Sequence, residues 1–331
     1  MQKRVGLALS GGGIRAAIFH LGVLEYLAES GLFSRIASIS SVSGASLCMG
    51  LIFSASGNRW PCEKEFSQKI QPKIRKLILT ENIQRAALRR LPFSPTNWNN
   101  RVEILAKMLE KMWGINGSLQ DLPPFPFWEI NCTTFETGSR FRFRRDYMGD
   151  TKIGYVQNPT LSISHMIAAS AAFPVLIGPY ILKTEGLRFT RDKKGLHKVV
   201  NVLDRYTLWD GGVYDNLGLE ALHRIGGGLD SEIDFLITSN AGAQLSPQER
   251  GRPSQNLRRL LNISAAQAES LRTRDFISSV VRKQKGLYLE IGHNPESIFA
   301  REYPTTLNSP SAKDFDLIFK NGYDCTKFCR G

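Results

Sequence analysis

With 331 residues, 42% of them hydrophobic, the chain can bury a core as one large α/β domain or two modest ones, and it is not a disordered polypeptide. Lys and Arg outnumber Asp and Glu by 43 to 30, a formal net charge of +13 that favours anionic partners. No apolar run approaches the ~18 residues of a membrane span. No signal-peptide pattern opens the chain. Cys48, Cys62, Cys132, Cys325 and Cys329 follow neither a zinc nor a disulfide spacing, as expected in a reducing compartment.

Val5–Leu9 is continuously apolar, the mark of a parallel strand covered on both faces. It runs into Ser10-Gly11-Gly12-Gly13-Ile14-Arg15, after which a helix is predicted from Ala16 to Ser30, with Ala17, Leu21, Leu24 and Leu27 on its apolar face and Gly31 ending it. Strand, glycine loop and helix aim successive backbone N–H groups at one point, an anion-binding arrangement. The loop lacks both the Gly-Lys-Ser/Thr ending of a Walker loop and the last spacing of G-x-G-x-x-G, so nucleotide binding is a weak reading. An oxyanion hole fits better, because a serine corner follows on the next strand. His20, inside the helix, reads as a structural hydrogen-bonding residue.

That corner lies in residues 35–50, where an apolar-alternating run passes through small residues into a helix-like run from Leu47 to Ile52. A strand turning sharply into a helix with serine at the corner is a nucleophile elbow, whose crowded neighbours must be small. Here the elbow reads Ser41-Val42-Ser43-Gly44-Ala45, with Ser41 and Ala45 where glycines usually stand. Ser43 would then sit at a helix N-terminus, where N–H groups stabilise developing negative charge. The plain alternative is a serine-rich strand end that caps a helix, and this stretch alone does not decide between them.

Residues 59–127 interrupt the strand rhythm with helical sequence; within them, residues 59–111 carry 12 basic and 5 acidic side chains. Ile70, Ile74, Leu77 and Ile78 recur at helical spacing among Lys69, Lys73, Arg75 and Lys76, and Pro92, Pro95, Pro123, Pro124 and Pro126 punctuate the end. This is an insertion or lid, and its amphipathic helix either lies at a membrane interface or packs its apolar stripe on the body. Phe127–Cys132 restores a strand, and the strict alternation of 140–144 predicts another with one face in water. A small-residue helix over Leu161–Ala172 stops at Pro174, followed by a partly extended Val175–Leu182, a charged hairpin over 183–198 and a strand over Val199–Leu208.

Asp210 then leaves that strand into Gly211-Gly212, at a strand end where catalytic residues gather, although Asp-Gly is also a common turn. Asp215 and Asn216 can cap a helix starting near Leu217. Ile233–Thr238 is another buried strand. Residues 254–285 are helical; 249–285 carry 9 basic and 3 acidic side chains, so that with residues 59–111 they hold the whole excess charge. Solvated helix faces are the plain account of both basic stretches, and anionic phospholipid or nucleic acid the functional one. A strand over Gly286–Ile291 and a closing helix over Asp314–Phe328 complete the chain.

Gly11-Gly12-Gly13-x-Arg15, Val42-Ser43-Gly44, Ala169-Ser170-Ala171-Ala172-Phe173-Pro174 and Asp210-Gly211-Gly212 occur in an order and at separations that resemble the patatin-like phospholipases. Asn321-Gly322-Tyr323 extends the likeness over nearly the whole chain, and the first motif is also similar to that of the cytosolic phospholipase A2 group. The resemblance implies a single three-layer α/β domain over 1–331, a mixed, mainly parallel sheet with helices on both faces. The 59–127 insertion would be a lid or membrane-docking face, and 246–331 a helical extension packed on the core. It implies a phospholipase A-type acyl hydrolase with a Ser43–Asp210 dyad, an oxyanion hole from Gly11, Gly12, Gly13 and Arg15, and an elbow supported by Ser41, Gly44 and Ala45. No metal or other cofactor is implied. Arg15 would secure the loop or meet a substrate phosphate. A triad through His223 or His293 is the weaker arrangement, since neither lies in a loop that suggests it. The expected partner is an anionic phospholipid surface, with a protein or small-molecule activator allowed, nucleic acid disfavoured and a cytoplasmic, peripherally membrane-associated location. The competing reading is a catalytically idle scaffold gripping anionic lipid or nucleic acid through its basic face.

Overall fold

The computed structural model describes residues 3–90, 101–174, 177–197, 202–245, 253–292 and 297–330; Pro92, Pro95, His293 and part of the strand expected over 199–208 lie outside them. The chain opens with β1 (Val5–Leu9), α1 (Gly13–Glu29), β2 (Ile36–Val42) and α2 (Gly44–Ala55). A helical insertion follows, in which a π-helical turn (Phe66–Ile70) leads into α3 (Gln71–Thr80), then α4 (Ile83–Leu88) and α5 (Arg101–Trp113). Next come β3 (Phe127–Thr134), β4 (Ser139–Phe143), β5 (Tyr147–Asp150), β6 (Gly154–Gln157) and α6 (Ile163–Ser170). β7 (Tyr180–Lys183), β8 (Phe189–Thr190) and β9 (Arg205–Asp210) lead to a short α7 (Gly212–Asp215) and a small hairpin of β10 (His223–Arg224) and β11 (Gly228–Leu229). The chain closes with β12 (Phe235–Asn240), α8 (Pro253–Phe276), β13 (Gly286–Glu290), α9 (Ile298–Glu302) and α10 (Ala312–Arg330).

The mixed central sheet has a parallel heart in the order β13-β12-β1-β2-β3. From β3 it continues antiparallel through β4, β5, β6 and β8. β1 shows why its sequence is apolar throughout: Leu7 and Leu9 enter the main core with α1 and α2, while Ala8 enters a second core with Leu217, Leu222 and Phe276. The sheet is therefore the middle of three layers. Among the described residues no helix is long and apolar enough to cross a membrane.

α10 lies on α1 at backbone contact. A Cβ on Gly22 would sit 2.0 Å from the Phe319 carbonyl oxygen, and one on Gly322 would sit 2.0 Å from that of Phe19. The Asn321-Gly322-Tyr323 segment thus serves a helix crossing that no larger residue permits.

The insertion turns its apolar stripe inward: Ile70, Ile74 and Ile78 are buried, while Lys69, Lys73 and Lys76 face solvent. Arg75 pairs with Asp316 of α10 at 2.9 Å.

One expectation is corrected. The alternation in β4 predicted a face in water, yet Arg140, Arg142 and Arg144 are each 7% exposed. Arg140 pairs with the buried Glu129, Arg144 with Asp146 and Glu232, and Arg142 lies over the Tyr155 ring. Burial pushes the Glu129 carboxyl up, but the guanidinium charges of Arg140, Arg142 and Arg144 overcome it and hold the group at about 2. Paired charge buries where bare charge does not.

Candidate active site

The site begins with a topological meeting. β4 occupies one edge of β3, and both β2 and β9 lie along the other. β2 arrives parallel and ends at Val42 opposite Asn131; β9 arrives antiparallel and ends at Asp210 opposite Cys132. Two strands running head-on along one edge therefore bring their last residues together, although 167 positions separate Ser43 from Asp210 in sequence.

Ser43 is the corner between β2 and α2, at φ 51° and ψ −113°. A non-glycine residue at positive φ is strained, and such strain concentrates at functional sites. Its N–H is held by Ser170 Oγ at 2.9 Å, and the side chain remains half-exposed. Gly44 has no room for a side chain, because a Cβ there would lie 2.2 Å from the Gly13 carbonyl oxygen. Ser41 and Ala45, the two departures from glycine, are both fully buried. Ser41 Oγ accepts the Trp128 indole N–H at 2.8 Å and bonds Ser46 Oγ at 2.9 Å.

Asp210 is 3% exposed; its carboxylate accepts the Gly212 N–H at 2.7 Å, and the Ser43 hydroxyl lies near enough to favour its ionised form. Burial raises its pKa to about 6, the Gly212 N–H and the nearby Ser43 hydroxyl opposing the rise. That places a proton acceptor beside a hydroxyl, with a basicity suited to neutral pH.

The glycine loop packs on this pair: a Cβ on Gly11 would come 3.2 Å from Ser43 Cβ. The Gly11 N–H, however, is already donated to the Asn216 carbonyl at 3.0 Å. Among the described residues, Gly12 and Gly13 donate to no carbonyl, and both take the positive φ (145° and 62°) that turns a loop onto a helix start. The open donors of the loop are therefore at Gly12 and Gly13. Arg15 is buried beneath them, with Nε on the Ala241 carbonyl at 3.1 Å and Nη1 on the Tyr303 carbonyl at 2.5 Å. Its Nη2 is buried without a hydrogen-bond partner, and burial lowers its pKa to about 10. The guanidinium thus ties the chain at Ala241 and at Tyr303 to the loop.

Two neighbours complete the surroundings: Asp215, expected from the sequence as a cap, and Gln84, of which the sequence gives no warning. Asp215 accepts the Leu217 and Glu220 N–H groups at 3.2 and 2.9 Å, so the helix expected near Leu217 is a short 3-10 turn (Leu219–Ala221). Gln84, from the insertion, accepts from Thr306 Oγ1 and the Leu307 N–H, while the Thr306 carbonyl takes the Ile14 N–H at 2.8 Å. The insertion is in this way linked to the first turn of α1.

His20 and His223 are engaged elsewhere. His20 spans Ser239 Oγ and the Ser10 carbonyl at 2.9 Å each, and burial lowers its pKa to about 4. His223 meets the Gly228 carbonyl and Asp275 Oδ2.

A family model described as patatin-like phospholipase matches residues 7–223. No curated protein matches the chain. Among solved structures, human GIVD cytosolic phospholipase A2 superposes at a TM-score of 0.57 with 13% identity, over 98% of this chain and 58% of that one. The same human protein in complex with methyl gamma-linolenyl fluorophosphonate gives 0.52 at 14% identity, over 98% of this chain and 57% of that one. VipD from Legionella pneumophila gives 0.46 at 18% identity, covering 99% of this chain and 67% of that one. The chain thus spans somewhat over half the length of the human protein.

Proposed function

Because the chain belongs to the patatin-like phospholipase family, we propose that it is a lipid acyl hydrolase of the phospholipase A type, with Ser43 as nucleophile and Asp210 as base. The observation that carries this reading is the strained Ser43 corner brought by the meeting ends of β2 and β9 beside the buried carboxylate of Asp210. Ser43 Oγ attacks the ester carbonyl carbon as its proton passes to Asp210. The carbonyl electron pair moves onto oxygen, which the N–H groups of Gly12 and Gly13 receive. Collapse breaks the bond to the leaving alkoxide, which takes the proton back from Asp210. Water then attacks the acyl-enzyme by the same route and releases the fatty acid.

The substrate surface in this reading is an anionic phospholipid bilayer met peripherally on its cytoplasmic side, which the outward lysines of the insertion support. Fatty-acid release from mixed anionic liposomes tests the reaction. Wild type is expected to release fatty acid, and Ser43→Ala and Asp210→Asn to lose the activity. A fluorophosphonate that modifies wild type but not Ser43→Ala separates an enzyme from an idle scaffold; absence of labelling in both would reject the serine nucleophile.

A further inference from the structure

The segment from Ala169 to Pro174 has no role in the chemistry above, yet it touches both members of the reacting pair. Ser170 Oγ accepts the Ser43 N–H at 2.9 Å. Its main-chain carbonyl accepts the Gly211 N–H at 3.3 Å, and the Ala172 carbonyl accepts the Asp210 N–H at 3.1 Å. One short stretch at the end of α6 therefore holds the nucleophile through a side chain and the base through the backbone.

The side-chain contact ends a longer chain of hydrogen bonds. The Trp128 indole meets Ser41 Oγ at 2.8 Å, Ser41 meets Ser46 at 2.9 Å, Ser46 meets Ser170 at 3.0 Å, and Ser170 meets the Asn131 carbonyl at 2.8 Å. All three hydroxyls are fully buried. The two ends fix the direction. Indole N–H only donates and a carbonyl only accepts, so each hydroxyl has a single possible orientation: Trp128 to Ser41 to Ser46 to Ser170 to Asn131. The Ser170 proton is committed to Asn131, which leaves its lone pairs to Ser46 and to the Ser43 N–H.

We infer that Ser170 is a positioning residue for the reaction, holding Ser43 in its strained backbone conformation at a fixed distance from Asp210. This rests on the reading of Ser43 and Asp210 as the reacting pair. The physical argument is that a residue at φ 51° relaxes unless its surroundings over-determine it, and an oriented acceptor for its N–H does so. Buried networks with every member satisfied are rigid in this way. It also gives Ser41 a task that glycine at that place cannot perform, since glycine would leave Ser46 and the Trp128 N–H without their partner.

The test compares wild type with Ser170→Ala, Ser170→Cys and Ser170→Thr, reading kcat and KM on a soluble monomeric ester, the rate of fluorophosphonate labelling of Ser43, and Tm. Ser170→Ala is expected to lower kcat and the labelling rate together by about 10- to 100-fold with KM little changed, as a small misplacement does. Ser170→Thr keeps the hydroxyl and is expected to recover most of the loss. Ser170→Cys, close in shape but a poor acceptor, is expected to fall between, and it decides the matter should the alanine variant not fold. Wild-type kcat and labelling in folded Ser170→Ala or Ser170→Cys, with only Tm lowered, would overturn the inference; so would a threonine variant as impaired as alanine. Failure of wild type itself to label at Ser43 would instead reject the reacting pair.

Discussion

The Gly212 N–H donates to Asp210 Oδ1 at 2.7 Å, on a carboxylate that is only 3% exposed. Burial outweighs that bond and the nearby Ser43 hydroxyl, and the carboxyl stands at about 6 instead of its ordinary 3.8. As a base Asp210 works only when ionised, so kcat/KM on a soluble ester should rise with pH through a midpoint near 6 and then level off. A soluble substrate keeps vesicle charge out of the profile. A flat profile across that range would remove Asp210 as the base.

The same shift costs stability, and its sign can be worked out. The folded pKa is raised, so between 3.8 and about 6 the folded state holds a proton that the unfolded state has released. Stability from this group therefore falls as pH rises through that window, and the full cost is present above it. Asp210→Asn carries no charge to bury. It should be more stable than wild type at alkaline pH by on the order of 2–3 kcal/mol, with the gain vanishing well below the ordinary carboxyl pKa. Urea denaturation at the two pH extremes measures this, and an equal effect at both would mean the gain is not electrostatic.

Gly22 and Gly322 predict the opposite trade. Alanine is the better helix former by about 1 kcal/mol at an open helix position, yet here its Cβ would meet a facing carbonyl oxygen at 2.0 Å. Backbone cannot swing aside as a flexible side chain does, so the helices must part. Gly22→Ala and Gly322→Ala should each destabilise by about 1–3 kcal/mol, read from the midpoint of chemical denaturation. A neutral or stabilising result would show that α1 and α10 are not in backbone contact.

What the sequence discloses follows from how local each signal is. The β2–Ser43–α2 corner is legible because strand, small residues and helix are consecutive, and the continuous apolar run of β1 announces burial on both faces. The head-on meeting of β2 and β9 is not legible, because it depends on which edge of β3 a strand 167 positions later will choose. Nor is the task of Ser170, since a hydrogen-bond partner more than a hundred residues away leaves no periodicity behind. The arginines of β4 mislead for a related reason. Their alternation is that of a half-wet strand, while Glu129, Glu232 and the Phe127 ring that allow burial come from separate segments. For α3, an inward apolar stripe and an outward basic face are compatible with either role proposed for such a helix, and the structure gives the stripe to the core.

That last assignment changes how a membrane would be held. With Ile70, Ile74 and Ile78 inside the core, the insertion has no apolar stripe on this helix to bury in a bilayer, and Lys69, Lys73 and Lys76 can attract it only by charge. Near an anionic surface each such lysine contributes about 1 kcal/mol. Replacing all three by alanine should therefore weaken co-sedimentation with anionic vesicles by roughly 100-fold at low salt. The difference should shrink as ionic strength rises and the screening length falls. Hydrolysis of a soluble monomeric ester should be unaffected, because none of the three lysines contacts Ser43, Asp210 or the glycine loop. Undiminished vesicle binding by the triple variant would show that this face does not dock the protein. Binding that resists salt would point to apolar insertion elsewhere.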